Sequence, residues 1–167
     1  MDKKTIRRTI LKRRKDYNES NSRINVIKEI IDSKIIDSCN NIGIYFPINN
    51  EIDITELRKI FPNKKFYLPI TKENILFSEY TDNLVKGPFN IFEPTGEIID
   101  RDNIDCFLIP CVGITKDKKR IGYGKGYYDR YLNGYKGLKI GICYRNDINI
   151  DCEMNEFDIV LDNIIVG

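Results

Sequence analysis

The chain has 167 residues, of which 41% are hydrophobic and 31% charged, enough to bury a core without disulfides or metal and typical of an ordinary soluble globular domain. It has no histidine, which excludes a Ser-His-Asp triad, a histidine general base and every histidine-containing metal site. The net charge of +2 is uneven: residues 1–15 hold eight cations against Asp2, which leaves 19 cations against 24 anions in the remainder.

Residues 2–16 lack Gly and Pro and carry Ile6, Ile10 and Leu11 at helical spacing, which predicts an amphipathic helix with a basic face. That face can be a solvated surface, a presequence or an RNA-binding arm. Residues 20–38 open on Ser20 as a helix N-cap and place Ile24, Ile27, Ile31 and Ile35 on one stripe, predicting a core-facing helix. Asn41–Phe46 reads as a buried strand stopped by Pro47, followed by a helix near 54–60 that Asp53 could cap. Glu51 lies where α/β folds place ligands, after a strand, although position alone reads as a solvent-facing loop acid. Lys65–Leu68 and Ile75–Tyr80 look like short strands, and residues 81–99, with Gly87-Pro88, Pro94 and Gly96, like a long irregular loop. Its Phe89, Ile91 and Phe92 are too apolar for a linker, so this loop should pack on something or cover a ligand.

Ile104–Ile109 reads as a central strand stopped by Pro110, with further strands at Leu138–Cys143 and Val160–Val166. Strands alternate with helices, which predicts an α/β fold: one three-layer domain over 1–167, with a mostly parallel sheet and helices on both faces. The five cysteines include no Cys-x-x-Cys pair, so neither a zinc site nor a disulfide framework is expected. Cys106, Cys111 and Cys143 should be small core residues, and reduced thiols point to the cytoplasm. No apolar run approaches a membrane span, and the N-terminus lacks the apolar region of a signal peptide.

Between the strands Ile104–Ile109 and Leu138–Cys143 lies Arg120-Ile121-Gly122-Tyr123-Gly124-Lys125-Gly126-Tyr127-Tyr128-Asp129-Arg130, leading into a helix through about Leu132 that Gly134 ends. Three alternating glycines between cations let a ligand approach the backbone amides, and a helix start adds its positive dipole end, together an anion-binding concavity. Arg120 and Lys125 add full charges. Asp129 offers an oxygen of the kind Mg²⁺ takes beside nucleotide phosphates. The spacing is neither a Walker A loop nor a Rossmann fingerprint. The reading is a phosphate site, and by extension a nucleotide site.

With these segments assembled, the chain resembles the 5-formyltetrahydrofolate cyclo-ligase family nearly end to end. The signature Arg-x-Gly-x-Gly-x-Gly-Tyr-Tyr-Asp-Arg is matched in full at 120–130. Supporting matches are Lys3 to Arg7, Tyr45 to Asp53, Gly87 to Pro94 and the acid Asp158. The resemblance implies ATP- and Mg²⁺-dependent closure of 5-formyltetrahydrofolate to 5,10-methenyltetrahydrofolate. A monomer is expected, with no membrane partner and, given the acidic balance beyond residue 15, no nucleic acid. It implies that ATP is held by Lys3, Lys4, Arg7, Arg120, Gly122, Tyr123, Gly124, Lys125, Gly126, Tyr127 and Tyr128. Among these, Lys125, Arg120 and Tyr127 would serve catalysis. Asp129 and Asp158 would hold Mg²⁺, and Phe46, Glu51 and Phe89 would contact the reduced folate.

The chain departs from the family at Thr115, where an Asp is usual, at Arg145 and Asn146, where a Gln is frequent, and at Phe157, where a His is common. Two alternatives stand beside the enzyme: a non-catalytic nucleotide- or RNA-binding module, and a related ligase for another formylated substrate.

Overall fold

The computed structural model describes residues 2–167. It opens with α1 (Lys3–Arg14), whose N-cap Asp2 accepts from the Thr5 amide at 2.7 Å. Ile6, Ile10 and Arg14, four residues apart, form its buried stripe. The third of these is a charge, 1% exposed, while Leu11 is only partly buried. Helix α2 (Glu19–Ser33) is capped by Asn18, which accepts from the Asn21 amide, and not by Ser20. Its core face is Val26, Ile27 and Ile30, whereas Ile24 and Ile31 are exposed. The predicted stripe is thus rotated by about one residue. Two interleaved apolar stripes run along this helix, and only packing on the sheet selects between them.

The remaining elements are β1 (Asn41–Gly43), α3 (Leu57–Ile60), β2 (Lys65–Thr71), β3 (Ile75–Glu79), β4 (Leu84–Lys86), β5 (Phe92–Pro94) and β6 (Ile98–Ile99). After these come β7 (Cys106–Pro110), β8 (Gly113–Ile114), β9 (Arg120–Ile121), α4 (Tyr127–Tyr131), β10 (Leu138–Cys143) and β11 (Asn163–Val166). Seven strands form one sheet in the order β11-β10-β7-β1-β2-β3-β6. Neighbours from β11 to β2 are parallel, and β3 and β6 run antiparallel at one edge. Alternation along the strands divides the core. Phe66, Leu68, Cys106 and Leu108 face α2 and α3, and Tyr67, Phe107 and Ile109 face α4 and the segment through Tyr135. The expected α/β architecture, mostly parallel with helices on both faces, is what the chain adopts.

Several boundaries differ from expectation. Strand β1 stops at Gly43, three residues early, with one further bond to β2, from the Ile44 amide to the Tyr67 carbonyl at 2.8 Å. Asp53 caps a turn and not a helix: its Oδ1 accepts from Thr55, and α3 begins only at Leu57. Residues 81–99 are not irregular; β4 and β5 form a hairpin and β6 pairs with β3. The hairpin turns on Phe89 and Asn90, both at positive φ, and the carboxylate of buried Glu93 accepts from the Thr71 amide at 2.8 Å. Strand β7 starts two residues later than expected, at Cys106, and ends at Pro110 itself. In the final segment exposed Val160 makes only an isolated bridge with Lys119, and β11 starts at Asn163. All five cysteines are free, four of them buried and Cys152 at intermediate exposure.

The chain leaves β1 toward β2 on one side and returns through β7 on the other. The carboxyl ends of these strands at that reversal are the place where open α/β sheets hold their ligands.

Candidate active site

A cavity of about 580 Å³ opens at this point. Tyr45, Phe46 and Ile48 beyond β1, Thr71 ending β2 and Pro110 ending β7 form its floor. The hairpin contributes Phe89 and Ile91, α1 contributes Lys3 and Arg7, and the stretch 120–129 closes it. Fifteen of the sixteen residues predicted for the site line this one cavity; the exception is Lys4, which is exposed on α1 outside it.

The glycine run does something that spacing alone does not disclose: each glycine faces a guanidinium. A Cβ on Gly122 would lie 2.3 Å from Arg120 Nη1, one on Gly124 3.0 Å from Arg7 Nη1, and one on Gly126 3.0 Å from Arg130 Nη1. Gly124 also sits at φ 99°, outside the range ordinary residues adopt. The missing side chains are therefore filled by cations. Arg7 Nε donates to the Gly122 carbonyl, and Arg130 Nη1 donates to the Lys125 carbonyl at 2.7 Å. Arg120, 7% exposed, donates through Nε to Pro110 O at 2.8 Å and stacks 4.7 Å from the Tyr128 ring centre. With Nε tied back, its two terminal nitrogens are directed past Gly122 toward the cavity. Lys125 is exposed, its Nζ 5.7 Å from the Phe89 ring.

Among the described residues, no acceptor takes the backbone amides of Gly124, Lys125 or Gly126. These open donors are what an anion-binding turn requires. The expected helix dipole contributes little, because α4 is only five residues long and aligns few peptide units. The positive potential here comes from side chains.

Two carboxylates share the cavity wall. Asp129 Oδ1 accepts from the Ile159 amide at 3.1 Å. Asp158 receives Lys3 Nζ at 3.0 Å on each oxygen, and the Asn155 amide at 2.7 Å. Among the described residues no cluster of three or more acidic or thiol ligands forms a metal cage. Two carboxylates do match the way Mg²⁺ is held beside phosphates, with substrate oxygens and water completing the shell.

Glu51 is 7% exposed, so the expectation of a solvent-facing loop acid is wrong. The turn after β1 folds inward: Oε1 accepts from the Ile48 amide at 2.9 Å and Oε2 from the Tyr123 hydroxyl at 3.2 Å. Burial pushes its carboxyl up to about 7, against the pull of the Ile48 amide and of Arg14 and Arg120. Burial likewise raises the Tyr123 hydroxyl to about 12. Phe46 packs edge-on against Phe92 at 5.5 Å, giving the cavity an aromatic wall.

Sequence reasoning missed Arg14, Tyr45, Thr71, Ile75 and Asn155. A signal existed for Arg14: Lys3, Arg7 and Arg14 share one helix face at spacings of four and seven. The departures at Thr115, Arg145, Asn146 and Phe157 all lie outside the cavity lining. Thr115 is buried and hydrogen-bonds Asp117 and the Lys119 amide, closing the turn between β8 and β9.

The class the fold and cleft define is a doubly covered α/β domain with a cation-rich ligand cleft at its strand reversal. Residues 1–167 match the 5-formyltetrahydrofolate cyclo-ligase family. The 5-formyltetrahydrofolate cyclo-ligase of Mycoplasma pneumoniae is 32% identical, over 99% of this chain and 98% of its own. That of Mycoplasma genitalium is also 32% identical, over 86% of each. Among solved structures, Aquifex aeolicus 5,10-methenyltetrahydrofolate synthetase superimposes with a TM-score of 0.85 at 29% identity, over 99% of this chain and 90% of that one. A 5,10-methenyltetrahydrofolate synthetase from Mycoplasma pneumoniae gives 0.81 at 31% identity, over 99% and 98%. The chain belongs to the 5-formyltetrahydrofolate cyclo-ligase family and is an enzyme of the ligase class.

Proposed function

We propose that this chain converts 5-formyltetrahydrofolate to 5,10-methenyltetrahydrofolate, coupled to hydrolysis of ATP to ADP and phosphate and dependent on Mg²⁺. The observation that carries this reading is the single cavity joining cations, open backbone amides and two carboxylates to an aromatic wall with a buried acid.

A formamide oxygen is a poor leaving group. Transfer of the γ-phosphoryl to that oxygen makes the formyl carbon electrophilic; nitrogen 10 of the same folate then attacks it, phosphate leaves, and nitrogen 10 loses its proton. Such a reaction is driven by positioning and charge neutralisation and needs no histidine. Lys3, Arg7, Arg120 and Lys125 hold the triphosphate with the amides of residues 124–126. Arg120 and Lys125 face the charge that builds during transfer, and Tyr127 helps shape that end of the cavity. Phe46 and Phe89 pack on the pterin and aryl rings, and the ionised Glu51 accepts from pterin N–H groups. Asp129 and Asp158 would hold Mg²⁺, which when bound neutralises phosphate charge. For Asp158 this means exchanging Lys3, which the arriving phosphates draw to themselves.

A single seven-stranded sheet carries residues from both halves of the chain, which supports one domain over 1–167, and the proposed enzyme acts as a monomer. Free thiols support a cytoplasmic setting. The test is absorbance of methenyltetrahydrofolate formed by purified protein. ATP-, Mg²⁺- and 5-formyltetrahydrofolate-dependent growth of the signal is expected; none at micromolar enzyme rejects the reaction.

A further inference from the structure

The far end of α1 reaches the substrate cavity without lining it. Arg14 is 1% exposed, and its guanidinium is shared between two segments. Nε donates to the Asn49 carbonyl at 3.1 Å, and Nη2 donates to the Tyr123 hydroxyl. Asn50 answers from the same turn, its Nδ2 donating to the Arg14 carbonyl at 2.8 Å. Tyr144 donates to the Asn50 carbonyl at 2.7 Å. The turn carrying Glu51 is thereby fastened to the last turn of α1.

The direction of these bonds matters. A tyrosine hydroxyl has one proton, and an arginine can only donate. With Arg14 Nη2 donating to its oxygen, Tyr123 spends its proton on Glu51 Oε2, 3.2 Å away. The Ile48 amide occupies Oε1. Both carboxylate oxygens are thus oriented, each with a lone pair left for a ligand in the cavity.

We infer that Arg14 is a positioning residue: acting through the Tyr123 hydroxyl, it holds the Glu51 carboxylate aimed as an acceptor into the substrate cavity. This deepens the proposed function and rests on its reading of Glu51 as the group that accepts from the pterin.

The surroundings make the contribution measurable. Arg14 from α1 and Arg120 from β9 are fixed cations beside Glu51. Tyr123 from the glycine loop, Tyr45 beyond β1, Tyr128 on α4 and Cys111 beyond β7 face the same carboxyl. Burial raises all three tyrosines and the thiol, the thiol to about 11. They stay neutral while Glu51 titrates near 7. Protonation therefore competes with its acceptor form near neutral pH, and the loss of one donor or one cation tips the balance toward the protonated form.

The experiment follows the carboxyl resonance of Glu51 in ligand-free, ¹³C-glutamate-labelled full-length protein, assigned with Glu51→Gln. Tyr123→Phe keeps the ring and removes only the hydroxyl, so it guards against a folding failure of Arg14→Gln. Both should raise the Glu51 midpoint by about half to one pH unit, the worth of one hydrogen bond. In turnover, Arg14→Gln should move the acid limb of kcat/KM upward in step. It should also raise KM for the folate about fivefold, with KM for ATP unchanged. A wild-type midpoint in folded Tyr123→Phe overturns the inference, as does an effect confined to KM for ATP. A shifted midpoint in a protein that turns over no folate would uphold the Arg14–Tyr123–Glu51 relay and remove the proposed reaction instead.

Discussion

At the scale of single residues, the site is a set of charges held where bare sequence spacing does not locate them. Gly122, Gly124 and Gly126 were legible as a loop for an anion only together with the cations around them, since alternating glycines alone also make a plain loop. That their missing side chains are filled by Arg120, Arg7 and Arg130 was not legible, since Arg7 comes from an element more than a hundred residues away. Glu51 misled for a related reason. An acid in the loop after a strand reads as exposed, and its burial depends on donors from Ile48 and Tyr123. That burial has a consequence for stability. The carboxyl rises from 4.5 to about 7 on folding, so the folded state holds a proton that the unfolded chain releases. Stability is then full below the unfolded value and is lost progressively as pH rises through the folded one. Glu51→Gln should therefore unfold much like the wild type near pH 4. Near pH 8 it should be more stable by as much as about 3 kcal/mol, read from urea unfolding at the two pH values. A variant less stable than wild type at the higher pH would contradict the burial argument.

At the scale of elements, α1 and the hairpin β4–β5 bring the walls of the cavity to a sheet that would otherwise leave it open. The basic helix was visible in sequence, but its role was ambiguous among a solvated face, a presequence and an RNA arm. The structure turns Lys3, Arg7 and Arg14 inward, toward Asp158, Gly122 and Tyr123, and leaves Lys4, Arg8 and Lys12 exposed. The hairpin was hidden because turn residues and prolines crowd 81–99, and its two strands have only three residues each. Patterns that short carry no usable period. Its anchor is Glu93, which reaches past Gly87, where a Cβ would lie 2.4 Å away, to the Thr71 amide. Glu93→Ala should release the hairpin while sparing the parallel strands. Hydrogen exchange should quicken over residues 84–94 and remain as in wild type across β7 and β10. Uniform quickening across the sheet would mean that Glu93 supports the whole fold.

At the scale of the whole molecule, the order of the strands decides where chemistry can occur. The alternation of strand and helix gave the mostly parallel sheet, because buried parallel strands such as Cys106–Pro110 read as continuous apolar runs. Sequence did not give the antiparallel edge formed by β3 and β6, nor the reversal beside β1 that opens the cavity, since both depend on pairings between distant segments. The signature at 120–130 is aimed across that reversal at the aromatic wall. The account stands or falls on whether this glycine turn clasps the triphosphate. Amide NMR of the full chain, with and without saturating ATP and Mg²⁺, tests it most directly. The Gly124, Lys125 and Gly126 amides, which no protein acceptor takes, should shift strongly and gain protection from exchange. Resonances that stay in place at saturating ATP would contradict it.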